Sequence, residues 1–246
     1  MNDNFTLSIS QRATRLFNPN KRGYLIGLLA VFVPFVIVGL IGESLGTDTS
    51  FASGLVITFT YLLAIVIATA VLKSQGSGWQ EIGLARPKSW PKTIVMALGA
   101  MVAFVAAMII VQIILMNIPG IELQASDQSD YNPLTGNLPM FLILVVTAWT
   151  SVAFGEEMLF RAFLTVSLAG TLGDLKARWA LALAGSSLAF GLAHFSWGPA
   201  GMIETAIMGF VLGFIYLRSG RNLWITIIAH ALANTIKFSL IYAGAV

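Results

Sequence analysis

The chain has 246 residues, 57% hydrophobic and 10% charged, with a mean hydropathy of +0.83, where soluble domains carry roughly 25% charged residues. This excludes a soluble globular protein and predicts an all-α, polytopic membrane helix bundle. The absence of cysteine removes a disulfide framework, a thiolate metal site and a cysteine nucleophile.

Residues 1–23, "MNDNFTLSISQRATRLFNPNKRG", are polar and basic, and no small-residue cleavage site follows the first apolar stretch, so they are expected to remain as a cytoplasmic tail. The rest, 24–246, reads as a single membrane domain. Its apolar runs fall at 24–41, 51–72, 93–117, 138–165, 179–195, 201–217 and 223–245, against about 20 residues for a crossing. Breaks such as "GESLGTDTS" and "FSWGPAG" separate them. The loop 73–92 carries Trp79 and Trp90, suited to the membrane interface, and is expected to include a short surface helix.

Lys and Arg set the orientation. Arg12, Arg15, Lys21, Arg22, Lys73, Arg86, Lys88, Lys92, Lys176, Arg178, Arg218 and Arg221 all fall on one side if seven helices alternate, while Glu43, Asp48, Glu122, Asp127 and Asp130 fall on the other. The expected protein has seven transmembrane helices and a cytoplasmic N-terminus. The formal net charge of +3 then sits in loops facing anionic headgroups, and no nucleic-acid partner is expected. The short loops point to a multi-pass protein of the bacterial plasma (inner) membrane.

Within the fourth run stands "GEEMLFR", Gly155 to Arg161. Ionisable residues at membrane depth are costly, by about 2.5 kcal/mol upward, and each is a functional candidate by default. Besides Glu156, Glu157 and Arg161 they are His194, Glu204, His230 and Lys237. Residues four apart share a helix face, so Glu157 and Arg161 can pair while Glu156 points about 100° away. Glu156 is left as the carboxylate without a local partner, suited to accepting and returning a proton. Both histidines of the chain lie in apolar helices, in "FGLAH" and "HALAN", and His230 shares a face with Asn234.

A Glu and a His can deprotonate a water between them, while a second His and an Asn amide donate to an oxygen that becomes negative. That set suffices to hydrolyse an amide. Ser186, Ser187 and Ser196 are near His194 in sequence, but small hydroxyl residues on membrane helices more often serve packing. A metal is the competing account, with His194, His230 and a carboxylate, Glu156 or else Glu157, as zinc ligands and an open position for water. Against it stand the lack of an H-E-x-x-H helix and the poor ligand quality of Asn, so no cofactor is preferred, with zinc the alternative.

The three elements in this order, E-E-x-x-x-R, F-x-x-x-H and H-x-x-x-N, resemble the CPBP family of intramembrane proteases, which includes the CAAX endoprotease of prenylated proteins and the bacterial Abi proteins. The resemblance covers about residues 150–235 and implies catalytic helices within 138–245 around a water-filled cavity between the fourth to seventh helices. It implies Glu156 as the base activating water with His194, an oxyanion hole of His230 and Asn234, and Glu157 with Arg161 as structural support. The implied partners are a peptide or protein substrate, lipid-modified in the CAAX case, and the bilayer. The rival readings are a non-catalytic membrane immunity or scaffold protein and a proton-coupled transporter, the latter weakened by the absence of inverted repeats.

One spacing conflicts with a shared site. Glu156 and His230 fall in the cytoplasmic halves of their predicted spans, while His194 falls near the outer end of its own. The expected resolution is a "HFSWGPAG" turn sunk inside the protein, with irregular backbone lining a cavity.

Overall fold

The computed structural model describes residues 21–44, 50–118 and 134–245. Most of the expected tail and the acidic loop before the fourth run lie outside the described residues. The long helices are α1 (Lys21–Ser44), α2 (Ser50–Ser74), α3 (Trp90–Leu115), α4 (Leu138–Leu172), α5 (Arg178–Leu192), α6 (Gly198–Arg218) and α7 (Leu223–Tyr242). There is no strand among the described residues, so the all-α bundle stands. Five helices, α1, α3, α4, α6 and α7, are long and apolar enough to cross a membrane. The count of seven spans is not confirmed among the described residues. Only Thr58–Ser74 of α2 forms a shorter apolar helix among the described residues, and α5, with 15 residues, extends about 22 Å against a hydrocarbon core of about 30 Å.

Local chemistry fixes the helix starts. Ser89 caps α3 by accepting from the Lys92 amide, Asn137 caps α4 by accepting from Met140, and Asn222 caps α7 by accepting from Trp224; Pro91 and Pro139 sit in the first turns of α3 and α4, where no amide donor is needed. The α4 helix stops at Gly173, whose φ of 64° suits a helix C-terminus.

The fourth helix is the axis of the bundle. Every residue from Glu157 to Leu164 is buried, the charged Glu157 and Arg161 included, so this stretch is enclosed on all sides. Phe160 packs edge-on to Phe32 and Phe35 of α1 and Phe190 of α5, with ring centroids 5.6, 6.0 and 5.0 Å away. The opposite situation holds on the outside, where Ile26, Val66, Val95, Val102 and Leu188 are each more than 60% exposed, an apolar surface suited to lipid. Together these features make a multi-pass integral membrane protein.

The loop between α2 and α3 docks back on the bundle. The short helix expected there is one π-helical turn, Gln80–Leu84. The Tyr216 hydroxyl donates to the Ile82 carbonyl at 2.6 Å and Trp79 Nε1 donates to Thr69 at 2.8 Å. Gly83, at φ 119°, has no room for a Cβ, which would collide with the Arg221 carbonyl.

Candidate active site

The α4 helix is irregular where its charges lie. Ala148–Ala153 and Glu157–Leu164 are π-helical, with one α-helical turn, Phe154–Glu156, between them. Such π-turns widen the helix and re-aim side chains, and they are frequent at functional sites. Here they flank Glu156. Because α4 is enclosed, two adjacent carboxylates can point to different neighbours and both stay buried, Glu156 at 5% and Glu157 at 0% exposure.

Glu157 meets Arg161 of its own helix and His230 and Thr226 of α7. Its Oε2 lies 3.3 Å from Arg161 Nε, the pairing expected from their spacing. Its Oε1 accepts from His230 Nδ1 at 3.1 Å, a contact across to α7 that spacing cannot reveal. The Arg161 guanidinium stacks over the Phe190 ring, 4.1 Å from its centroid. None of its three nitrogens has a well-aligned hydrogen bond among the described residues, so the attachment to Glu157 is one of charge more than of directed bonding.

Glu156 faces the other way. The Tyr61 hydroxyl of α2 donates to its Oε1 at 3.1 Å, and its Oε2 lies 3.9 Å from His230 Nε2. The imidazole of His230, 2% exposed, is therefore held between two carboxylates, bonded to one and facing the other across a gap too long for a direct hydrogen bond.

The remaining expected residues stand at the margin of this cluster. Asn234 is half-buried, one turn beyond His230 on α7. His194 follows the end of α5, half-buried, with its ring between Phe190 and Trp197 at centroid distances of 4.7 and 4.6 Å. Its Nδ1–H donates to the Phe190 carbonyl at 2.8 Å, which leaves Nε2 as the acceptor. No hydrogen bond or ion pair joins His194 to Glu156 among the described residues. Glu204 of α6 has Gln112 of α3 and Lys237 of α7 as polar neighbours, a group separate from this cluster.

The depth conflict is resolved differently from the expectation. The turn after His194 is not enclosed: Phe195 and Trp197 are each 47% exposed and Ser196 is exposed too. Instead α4 continues past the expected end at 165 to Leu172, and α5 is short. Phe190 of α5 packs against Phe160 and Arg161 of α4, and His194 lies one turn beyond Phe190 as Glu156 lies about one turn before Phe160. The two helices run antiparallel, so the residues sit at one level.

Among the described residues no group of three or more His, Asp or Glu side chains is arranged to hold a metal ion. A cavity of about 250 Å³ lies between α1 and α2 around Tyr24, Val71 and Gln75. It holds none of the clustered ionisable residues, and is not the cavity between the fourth to seventh helices that the motifs imply.

Sequence reasoning missed Tyr61, which no spacing links to Glu156, and the role of Phe190, whose position in "FGLAH" was visible but whose stacking on Arg161 was not. No curated protein and no solved structure matches the chain. Residues 138–236 match the family described as type II CAAX prenyl endopeptidase Rce1-like. That segment contains Glu156, Glu157, Arg161, His194, His230 and Asn234, and it lacks Tyr61. Residues 138–236, less than half of the chain, are thus similar to the CAAX-type membrane endopeptidases, the family the three motifs resemble.

Proposed function

We propose that this protein is an intramembrane endopeptidase that hydrolyses a peptide bond with a water activated by Glu156. The observation that carries this reading is the buried opposition of Glu156 and His230, 3.9 Å apart, within the segment that matches an endopeptidase family. A polar contact of that length is one that a water can bridge. In the reaction Glu156 takes a proton from the water as its oxygen attacks the peptide carbonyl, with His194 Nε2 as a second acceptor. Glu156 then returns the proton to the amine as the C–N bond breaks.

Glu157 fixes the ring of His230 by accepting from Nδ1. With His230 protonated on both nitrogens, the formal charges of Glu156, Glu157, Arg161 and His230 cancel, and Nε2–H is available to the oxygen of the tetrahedral intermediate. Asn234, on the same helix face, supplies the second donor. The substrate class is a peptide or protein reached from the bilayer, lipid-modified if the CAAX type of specificity holds, and the membrane is the bacterial plasma membrane.

The test is hydrolysis of a labelled, prenylated peptide by the purified protein in detergent. Glu156→Gln keeps size and hydrogen bonding but removes the base, so it should eliminate turnover while eluting as a folded protein. A chelator should leave wild-type turnover unchanged. Full turnover by Glu156→Gln would overturn the mechanism, and chelator inactivation reversed by zinc would transfer His194 and His230 to metal ligation.

A further inference from the structure

We propose that Tyr61, from the half of the chain outside the matched family segment, is a positioning residue for Glu156: its hydroxyl holds one carboxylate oxygen so that the other is presented to His230. Tyr61 is 7% exposed and donates to Glu156 Oε1 at 3.1 Å. A carboxylate on a flexible stem in a helix can otherwise turn about its last torsion, which is broad and roughly two-fold. With Oε1 occupied, Oε2 is the oxygen left to face His230 Nε2.

Two further observations show that the contact is built. The residue before Glu156 is Gly155, and a Cβ there would come within 3.3 Å of Tyr61 Cβ, Cγ and Cδ1, so the glycine gives the tyrosine ring its place against α4. On its other side the ring meets Phe35 of α1 edge-on at 5.4 Å, and Phe35 in turn packs on Phe160 of α4. The ring is thus wedged between two helices with its hydroxyl at the carboxylate. The helices preceding residue 138 do more than enclose the site, because one of them supplies part of it.

The role rests on the proposed proteolytic reading only for its kinetic arm. Tyr61→Phe keeps the ring and its packing while removing the donor. It should lower kcat about 10-fold with KM within twofold, the split expected when positioning of a reacting group, and not binding, is lost, with the melting midpoint lowered by a few degrees for the lost buried hydrogen bond. Gly155→Ala, which displaces the tyrosine without touching a polar group, should lower kcat in the same direction. The second arm needs no substrate: the infrared spectrum of Tyr61→Phe minus wild type should show a shifted carboxylate band that vanishes when both proteins carry Glu156→Gln. An unshifted band, an unchanged kcat in Tyr61→Phe, or a change confined to KM would each overturn the assignment. A shifted band in a wild-type protein that cleaves no peptide would leave Tyr61 positioning Glu156 and overturn the proteolytic reading alone.

Discussion

Arg161→Ala tests how the charge cluster is held together. Side-chain exposure of Arg161 and Glu157 is 2% and 0%, so solvent cannot take over the role of the missing partner. Removing one member of a buried ion pair costs about 3–5 kcal/mol because the other charge is left uncompensated. Loss of the guanidinium stacked on Phe190, 4.1 Å from the ring centroid, adds about 2 kcal/mol for a desolvated cation–π contact. Opposing this, the arginine nitrogens lack well-aligned hydrogen bonds among the described residues, and deleting donors in that condition relieves about 1–3 kcal/mol. The balance is a loss of about 4 kcal/mol. For a chain of this size each kcal/mol shifts the melting midpoint by about 2–4 °C, so a fall of about 12 °C is expected. The assay is the fraction of monodisperse protein surviving a temperature series in detergent, read by size-exclusion fluorescence. Arg161→Ala combined with Glu157→Gln should recover much of the loss, since the neutral amide still accepts from His230 Nδ1 and no charge is stranded. A single variant that melts within about 2 °C of wild type, or a double variant less stable than the single, would refute the pairing as the source of the stability.

Two other outcomes follow from the site and its surroundings. Asn234→Ala and His230→Ala should each lower kcat by about 10²–10³ with little change in KM, the effect of losing one donor to a developing oxyanion; an effect on KM alone in steady-state peptide hydrolysis would move both residues to substrate binding. In this cysteine-free chain, Ser196→Cys should react quickly with a small maleimide and Ser187→Cys slowly, because Ser196 is exposed and Ser187 is buried with its hydroxyl bonded to the Leu183 carbonyl. Equal rates by mass spectrometry would contradict the exposed turn.

The bundle itself was legible in the sequence, since the length of an apolar run and the positions of Pro, Gly and capping residues are local quantities. So was the pairing of Glu157 with Arg161, because residues one turn apart on a helix are neighbours whatever surrounds them. Span boundaries were less secure. The α4 helix passes its expected end because Thr165, Val166, Ser167, Ala169 and Gly170 are buried against neighbouring helices, and packing there sustains a helix that hydropathy alone would end. The α5 helix falls short for the converse reason, since its end is decided by the turn into α6, where Gly191 lies close to the Met202 carbonyl.

What the sequence by itself determined is the class of the protein and the inventory of its buried ionisable groups, because the cost of charge in hydrocarbon makes Glu156, Glu157, Arg161, His194 and His230 conspicuous wherever they stand. What only the tertiary structure decided is which of them meet. Tyr61 reaches Glu156 and His230 reaches Glu157 across 95 and 73 positions of sequence. Such contacts depend on the rotation and depth of each helix against its neighbours, which the π-turns of α4 and the aromatic packing of Phe32, Phe35, Phe160 and Phe190 set together and no periodicity within one helix records.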